Sequence, residues 1–261
     1  MEKIEMNRVY SMDCIALMQS MPEETVSLIL TDPPYGISYQ NQFTYRPHKK
    51  LKGDDGIDYG TFARESYRIL KQNSHAYFFT RFDCYPKHYQ ALNEAGFQIK
   101  NCLVIEKGTV GGIGDLKGSF ANNSEWIIFC QKGRREFEKT RLMKNKKKPG
   151  IFFHRGGNPS QEYKTRFPCC WFGEGYPKAT YSSNWQKQYG IYHPTIKCIE
   201  CMESLIQISS KPTEVVFDGF MGSGSTALAA IRTGRKYLGA ELEPRYFRLI
   251  EERIQREMEV R

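Results

Sequence analysis

Glu214-Val-Val-Phe-Asp-Gly-Phe-Met-Gly-Ser-Gly-Ser-Thr226 is the stretch that decides the fold. Its first five residues form a short apolar run ending on a carboxylate, the pattern of a buried strand. Gly219 to Gly224 is a glycine-rich turn, and Ser225 to Gly234 is an alanine-rich helix. Lys236-Tyr-Leu-Gly-Ala-Glu241 reads as the next strand, and Pro244 to Val260 as a final helix. Strand, glycine turn, helix, strand is the context of a nucleotide-type site, because glycines let the backbone approach a ligand closely. Glu241 stands 22 residues after Gly219. An acidic residue at about that spacing accepts ribose hydroxyls in dinucleotide sites. A phosphate-cradling loop is the rival reading, but Ser225 stands where that loop requires lysine. The glycine order also departs from the strict dinucleotide pattern. A nucleoside ligand without a phosphate anchor fits best.

Working outward, the same alternation recurs. Arg8 to Asp13 reads as a short strand, followed by a helical turn with Ile15, Leu17 and Met18 apolar. Val26-Ser-Leu-Ile-Leu-Thr31 is a compact buried strand that stops at Asp32-Pro33-Pro34-Tyr35, since two prolines cannot continue a ladder. Helices are expected over 59–70, 86–95 and 196–208, and strands over 75–80, 97–106 and 125–130, the last antiparallel or at an edge. The expected fold class is α/β: a mostly parallel, doubly wound sheet with helices on both faces. Ligands then sit at the carboxyl ends of the strands.

Asp32-Pro33-Pro34-Tyr35 is the second chemical motif. The amino nitrogen of adenine or cytosine is a poor nucleophile, because its lone pair is delocalised into the ring. Acceptors for both amino hydrogens favour a pyramidal nitrogen. Asp32 supplies a carboxylate, and the prolines supply rigidly held carbonyls without competing N–H donors. Tyr35 offers a face on which an extruded base can stack.

Between 107 and 190 the character changes. Gly108, Gly111, Gly112, Gly114 and Gly118 make a glycine-rich stretch, and Lys144 with Lys146, Lys147 and Lys148 form a basic run. Trp171, Tyr176, Tyr181, Trp185 and Tyr189 place aromatics among polar residues. Cations for phosphates and aromatics for stacking suit a nucleic-acid contact region. The 261-residue chain carries 38 Lys+Arg against 29 Asp+Glu, a net charge of +9 that suits a polyanionic partner.

No apolar run approaches the roughly 18 residues of a membrane helix. Met1-Glu-Lys-Ile-Glu-Met6 lacks the apolar stretch of a signal peptide. The expectation is a cytoplasmic protein whose eight cysteines are free thiols. Cys198-x-x-Cys201 has no second pair at zinc spacing and reads as two thiols on adjacent helical turns. His75, His88 and His154 read as structural.

Taken together, the two motifs resemble the amino-group DNA methyltransferases, which act on N6 of adenine or N4 of cytosine. The match is with their β arrangement, in which the catalytic tetrapeptide precedes the cofactor glycine motif. Met12-Asp13-Cys14 is similar to the family's opening Gly-Asp-Cys, with Met12 replacing glycine. His193-Pro-Thr-Ile-Lys197 is similar to its motif before a helix, with Ile196 and Cys198 departing from the usual residues. The resemblance implies S-adenosylmethionine as methyl donor and double-stranded DNA as partner, with the target base flipped out of the helix. It implies that Asp32, Pro33, Pro34 and Tyr35 are catalytic. It implies a cofactor site formed by Asp13, Asp32, Thr195, Lys197, Asp218, Gly219, Phe220, Gly222, Gly224, Ser225, Thr226 and Glu241. Lys144, Lys146, Lys147 and Lys148 are expected to contact nucleic acid, and no metal is required. Residues 1–106 and 191–261 then form the catalytic and cofactor-binding core, and 107–190 an inserted target-recognition region. Asp at the first tetrapeptide position goes mostly with adenine in this family. Cytosine-N4, RNA or protein methylation, and a non-catalytic DNA-binding module, remain the alternatives. A homodimer and a cognate restriction nuclease are further expected partners.

Overall fold

The computed structural model describes residues 4–35, 57–106, 118, 124–138, 151–152, 169–173 and 196–260. Thr195, the basic run Lys144 to Lys148 and most of 107–190 lie outside the described residues.

In chain order the elements are β1 (Arg8–Tyr10), α1 (Cys14–Ser20), β2 (Val26–Thr31), α2 (Tyr59–Ile69), β3 (Leu70–Thr80), α3 (Tyr85–Glu94), β4 (Gln98–Glu106) and β5 (Ser124–Lys132). They continue with β6 (Ile151–Phe152), β7 (Cys170–Gly173), α4 (Ile199–Ser209), β8 (Val215–Asp218), α5 (Ser225–Arg232), β9 (Lys236–Ala240) and α6 (Pro244–Glu259). One sheet runs in the order β1-β9-β8-β2-β3-β5-β4-β7-β6. The joins from β1 through to β3 are parallel, as is β4 with β7; β5 runs antiparallel to both its neighbours. The α/β, mostly parallel, doubly wound class expected from the sequence is what forms.

All six residues of β2 are buried, which is why Val26 to Thr31 reads as a continuous apolar run rather than an alternating one. Leu28 and Leu30 face one core with Met202, Leu205 and Ile206 of α4 and Ala227 to Ile231 of α5. Val26 and Ile29 face the other, with Leu17 and Met18 of α1, Phe62 and Ala63 of α2 and Leu92 of α3. Helices therefore cover both faces.

Differences from the sequence expectations have local causes. β3 begins at Leu70, directly after α2, and carries the polar Lys71 to Asn73 on an exposed lead-in before its apolar part. Asn73 has φ +55° there, a conformation that asparagine tolerates. β5 is antiparallel as expected but lies inside the sheet, between β3 and β4. β6 and β7 come from the 107–190 stretch, where periodicity is weak. Strands of two and four residues are too short to leave a period-2 signal, and β4 supplies the edge on which β7 pairs.

β2 and β8 are parallel neighbours, with Leu28 opposite Val216 and Ile29 opposite Phe217. From this pair the chain winds outward to β3 on one side and to β9 and β1 on the other. That is a topological switch point, and the carboxyl ends of its strands border a crevice. Both chemical motifs begin there.

Gly239 of β9 pairs with Asp218 of β8. A Cβ at Gly239 would stand 2.1 Å from the Asp218 carbonyl oxygen and 2.7 Å from the Met221 methyl carbon. Gly239→Ala should therefore destabilise the fold by about 3 kcal/mol or more, measured by denaturant unfolding. A loss below about 1 kcal/mol would show that β8 can move aside.

Candidate active site

Asp218 ends β8 and points its buried carboxylate across the switch point. Its Oδ1 accepts from Thr31 Oγ1 of β2 at 2.7 Å and from the Phe220 N–H at 3.0 Å, and its Oδ2 accepts from Thr226 Oγ1 at 2.6 Å. Burial raises its pKa to about 6, against the lowering effect of those three hydrogen bonds. Asp218 thus ties the end of β2 to both ends of the glycine turn.

The turn itself needs its glycines. Gly222 and Gly224 have φ +53° and +82°, a region that side chains disfavour. Gly224 caps α5, and a Cβ there would also meet Ile250 Cγ2 of α6 at 3.2 Å. A Cβ at Gly219 would stand 3.2 Å from Cys14 Cβ. Phe220 packs its ring 5.4 Å from that of Phe62. Ser225 Oγ donates to the Lys197 carbonyl at 3.1 Å, so the turn is also bound to the segment before α4.

Glu241 follows β9. Its Oε2 accepts from the Gly222 N–H at 2.7 Å and its Oε1 from the Glu243 N–H at 2.8 Å. Burial raises its pKa to about 7, and the two backbone donors pull the other way. Each carboxylate oxygen keeps a lone pair beyond those bonds. Asp13 accepts from the Ile15 and Ala16 N–H groups at 2.9 and 3.0 Å and caps α1, holding Cys14 against Gly219.

The tetrapeptide Asp32 to Tyr35 leaves the carboxyl end of β2. Asp32 Oδ1 accepts from the Tyr35 hydroxyl at 2.6 Å. Asp32 Oδ2 lies 2.8 Å from the Lys197 ammonium, which also contacts Glu125 Oε2 at 2.6 Å. Lys197 Nζ sits 4.5 Å from the centre of the Phe79 ring. Burial opposes its charge, but the carboxylates of Asp32 and Glu125 outweigh burial and raise its pKa. The ammonium stays charged.

Tyr35 is backed by aromatics. Its ring centre is 6.1 Å from that of His88, which stacks on Tyr59 at 3.9 Å and an interplanar angle of 2°. Thr80 Oγ1 and His88 Nδ1 are 2.9 Å apart. Burial lowers the His88 pKa to about 4, so at neutral pH the ring is uncharged. Burial and the neighbouring Asp32 push the Tyr35 hydroxyl well above its ordinary value, leaving it a neutral donor. His75, similarly depressed to about 4 by burial, bonds Ser209 and the Arg135 carbonyl away from the crevice.

The structure therefore brings Asp32, Tyr35, Lys197, Asp218, the glycine turn, Ser225, Thr226 and Glu241 to one crevice, with Asp13 bracing it from α1. Sequence reasoning missed Thr31, Tyr59 and above all Glu125. The available signal for Glu125 was a charge at the head of the otherwise apolar run Glu125-Trp-Ile-Ile-Phe-Cys130. Cys198 and Cys201 are buried, at the cap and first turn of α4. Among the described residues no group of His, Cys, Asp and Glu could hold a metal ion, and no helix is long and apolar enough to cross a membrane.

A buried carboxylate with a raised pKa binds more protons folded than unfolded between its two pKa values, so stability falls as pH rises through that window. For Glu241 the window runs from about 4.5 to about 7, and the full effect is about 3 kcal/mol. Glu241→Gln should flatten the decline in unfolding free energy between pH 5 and 8. An unchanged slope would show that Glu241 titrates normally.

The family model described as DNA methylase matches residues 26–252. The type II methyltransferase M1.MboII of Moraxella bovis is 25% identical over 256 residues, spanning 93% of this chain and 94% of the relative. Among solved structures, the complex of M1.HpyAVI with S-adenosylmethionine superposes with a TM-score of 0.64 at 19% identity, covering 95% of this chain and 98% of that one. The cytosine-N4-specific PvuII DNA methyltransferase gives a TM-score of 0.67 at 19% identity, covering 93% and 84%. With the match running from β2 into α6 and embracing both motifs of the crevice, this chain belongs to the DNA methylase family.

Proposed function

We propose that the chain is a site-specific DNA methyltransferase that transfers a methyl group from S-adenosylmethionine to N6 of a flipped adenine. The observation that carries the reading is the juxtaposition at the switch point. A carboxylate acceptor with a tyrosine beside it follows β2, and a glycine cradle with a second carboxylate borders it after β8 and β9.

The residues fit the cofactor. Glu241 has acceptor capacity for ribose hydroxyls, while Gly222 and Gly224 allow the turn its positive φ and Gly219 and Gly224 let it pack closely on Cys14 and Ile250. Asp218, Phe220, Ser225 and Thr226 shape the turn, and Asp13 and Lys197 hold its two flanks. Thr195 is assigned to the same site by resemblance. When bound, S-adenosylmethionine supplies an electrophilic methyl carbon, whose carbon–sulfur bond breaks with its electron pair left on sulfur as the amino nitrogen forms the new bond.

Asp32 accepts one amino hydrogen, and the carbonyl of Pro33 the other. That draws the lone pair out of the ring and toward the methyl group. The proton shed after transfer leaves through the Asp32 oxygen that already holds it in a hydrogen bond, and then passes to water. Tyr35 stacks on the flipped base with Tyr59 and His88 behind it. Unstacking the base costs a few kcal/mol, offset by these contacts and by phosphate contacts from the basic chain. Residues 1–106 and 191–261 form the core together with β5, which the expected 107–190 insert contributes to the middle of the sheet. The rest of 107–190, with Lys144, Lys146, Lys147 and Lys148, is the target-recognition region on double-stranded DNA. Asp32 at the head of the tetrapeptide supports adenine over cytosine by the family resemblance. The work is done in the cytoplasm, by the chain alone or as a homodimer, with a cognate restriction nuclease as functional partner.

Purified protein incubated with mixed-sequence duplex DNA and methyl-labelled S-adenosylmethionine should yield label in N6-methyldeoxyadenosine after digestion to nucleosides. Asp32→Ala should reduce transfer at least about a hundredfold while duplex binding persists. Label in N4-methyldeoxycytidine would keep the mechanism and replace the base. Label only with RNA or protein substrates would overturn the DNA assignment.

A further inference from the structure

Asp32 has two carboxylate oxygens and a different donor on each. Tyr35 reaches Oδ1 from three residues along the same loop, through a hydroxyl at the end of a rotatable ring. Lys197 reaches Oδ2 from the segment before α4. The two donors are not equally replaceable. The Lys197 side chain is only 8% exposed. Its ammonium is gripped on a second side by Glu125, its charge lies over the Phe79 ring, and its own carbonyl is bonded by Ser225. β3 and β5 thus hold this side chain, and the start of α5 holds the backbone that carries it.

We infer that Lys197 and Glu125 are a positioning pair for Asp32. The ammonium locks Oδ2 and thereby makes Oδ1 the oxygen presented to the substrate's amino group. This deepens the methyltransfer reading and rests on it. Glu125 has its own part. A lysine alone beside Asp32 would give a neutral pair, and its positive charge would oppose the positive charge that builds on the amino nitrogen as the new bond forms. With Glu125 present the three ionised groups sum to −1, so the cluster keeps a negative potential where that charge appears. Glu125 also prevents the ammonium from moving wholly onto Asp32 and occupying both of its oxygens. Neither Lys197 nor Glu125 needs to touch the base, so both act through Asp32.

A purely structural staple joining β5 to the segment before α4 would give a different pattern on mutation. Its loss would lower stability, and activity would fall only with the folded fraction. A positioning pair instead changes kcat in protein that is fully folded.

The test is steady-state methylation of duplex DNA by the full chain, with S-adenosylmethionine affinity and thermal unfolding measured on the same preparations. Glu125→Gln should lower kcat about 10- to 100-fold, leaving KM for DNA and the cofactor Kd within about twofold of wild type. Lys197→Met should lower kcat at least as far, and Lys197→Arg should recover part of that loss. Because the two residues act as a unit, Glu125→Gln with Lys197→Met should lose less than the product of the single losses. Folded Glu125→Gln with wild-type kcat would overturn the inference and leave the methyltransfer reading standing. Independent, multiplicative losses would also overturn it. Wild-type protein that transfers no methyl group to DNA overturns the reading and the inference together.

Discussion

The Asp218 carboxylate is the joint on which the crevice depends. It is buried at the end of β8 and takes three hydrogen bonds, from Thr31, Phe220 and Thr226. Each donor belongs to a different part of the site: the strand that feeds Asp32, the first residues of the glycine turn, and the opening turn of α5. An apolar residue of similar size could fill the space but would leave a backbone N–H and two hydroxyls without partners. Each such group carries a desolvation penalty of about 1–3 kcal/mol. The joint works because hydrogen bonds from backbone and hydroxyls offset most of the burial penalty, and the remainder shows as a pKa raised to about 6.

Charge is distributed with the same economy. The chain is basic, at +9, yet among the described residues of the crevice the carboxylates Asp32 and Glu125 flank the ammonium of Lys197, with the buried acids Asp218 and Glu241 nearby, whose pKa values burial raises. A basic chain with an acidic pocket is a separation of tasks. Positive charge over the surface draws a polyanion from a distance. Negative charge in the pocket suits a cationic sulfonium and a nitrogen that turns positive as it is methylated. Burial strengthens the second effect, since salt screens a sheltered charge far less than an exposed one.

Much of this was legible in the residues. The strand, glycine turn, helix and strand of 214–241 are marked by composition and spacing, and the tetrapeptide marks its own strand end through its two prolines. Those signals are local, which is why they can be read. Glu125 is different. It lies far from Asp32 and Lys197 in sequence and joins them only because β5 runs antiparallel inside the sheet, next to β3. No property of the segment 125–130 specifies its partner strand. Lys197 was assigned to the cofactor from its motif, while its ammonium lies between two carboxylates on the catalytic side. The resemblance carried the residue, and the register of β5 supplied its contacts. β6 and β7 were missed for the same reason: strands of two and four residues exist because β4 offers an edge, not because their own sequences demand it.

The Tyr35 hydroxyl on Asp32 Oδ1 bears on how the proposed reaction begins. Without a base in place, that oxygen already has a donor at 2.6 Å. An incoming amino group must take over the same acceptor, so one hydrogen bond to a carboxylate is exchanged for another. Such an exchange is close to neutral in free energy, since donor and acceptor types are alike. The site therefore keeps both Asp32 oxygens hydrogen-bonded, one to Tyr35 and one to Lys197. In the proposed reaction, base entry displaces the hydroxyl and frees the ring of Tyr35 for stacking. What remains unfavourable is the extrusion of the base from the duplex. In that proposed reaction, stacking on Tyr35 meets part of the cost and phosphate contacts outside the crevice the rest. Every extruded base of one kind gains the same stacking, so the choice among target sites rests with the contacts to the duplex.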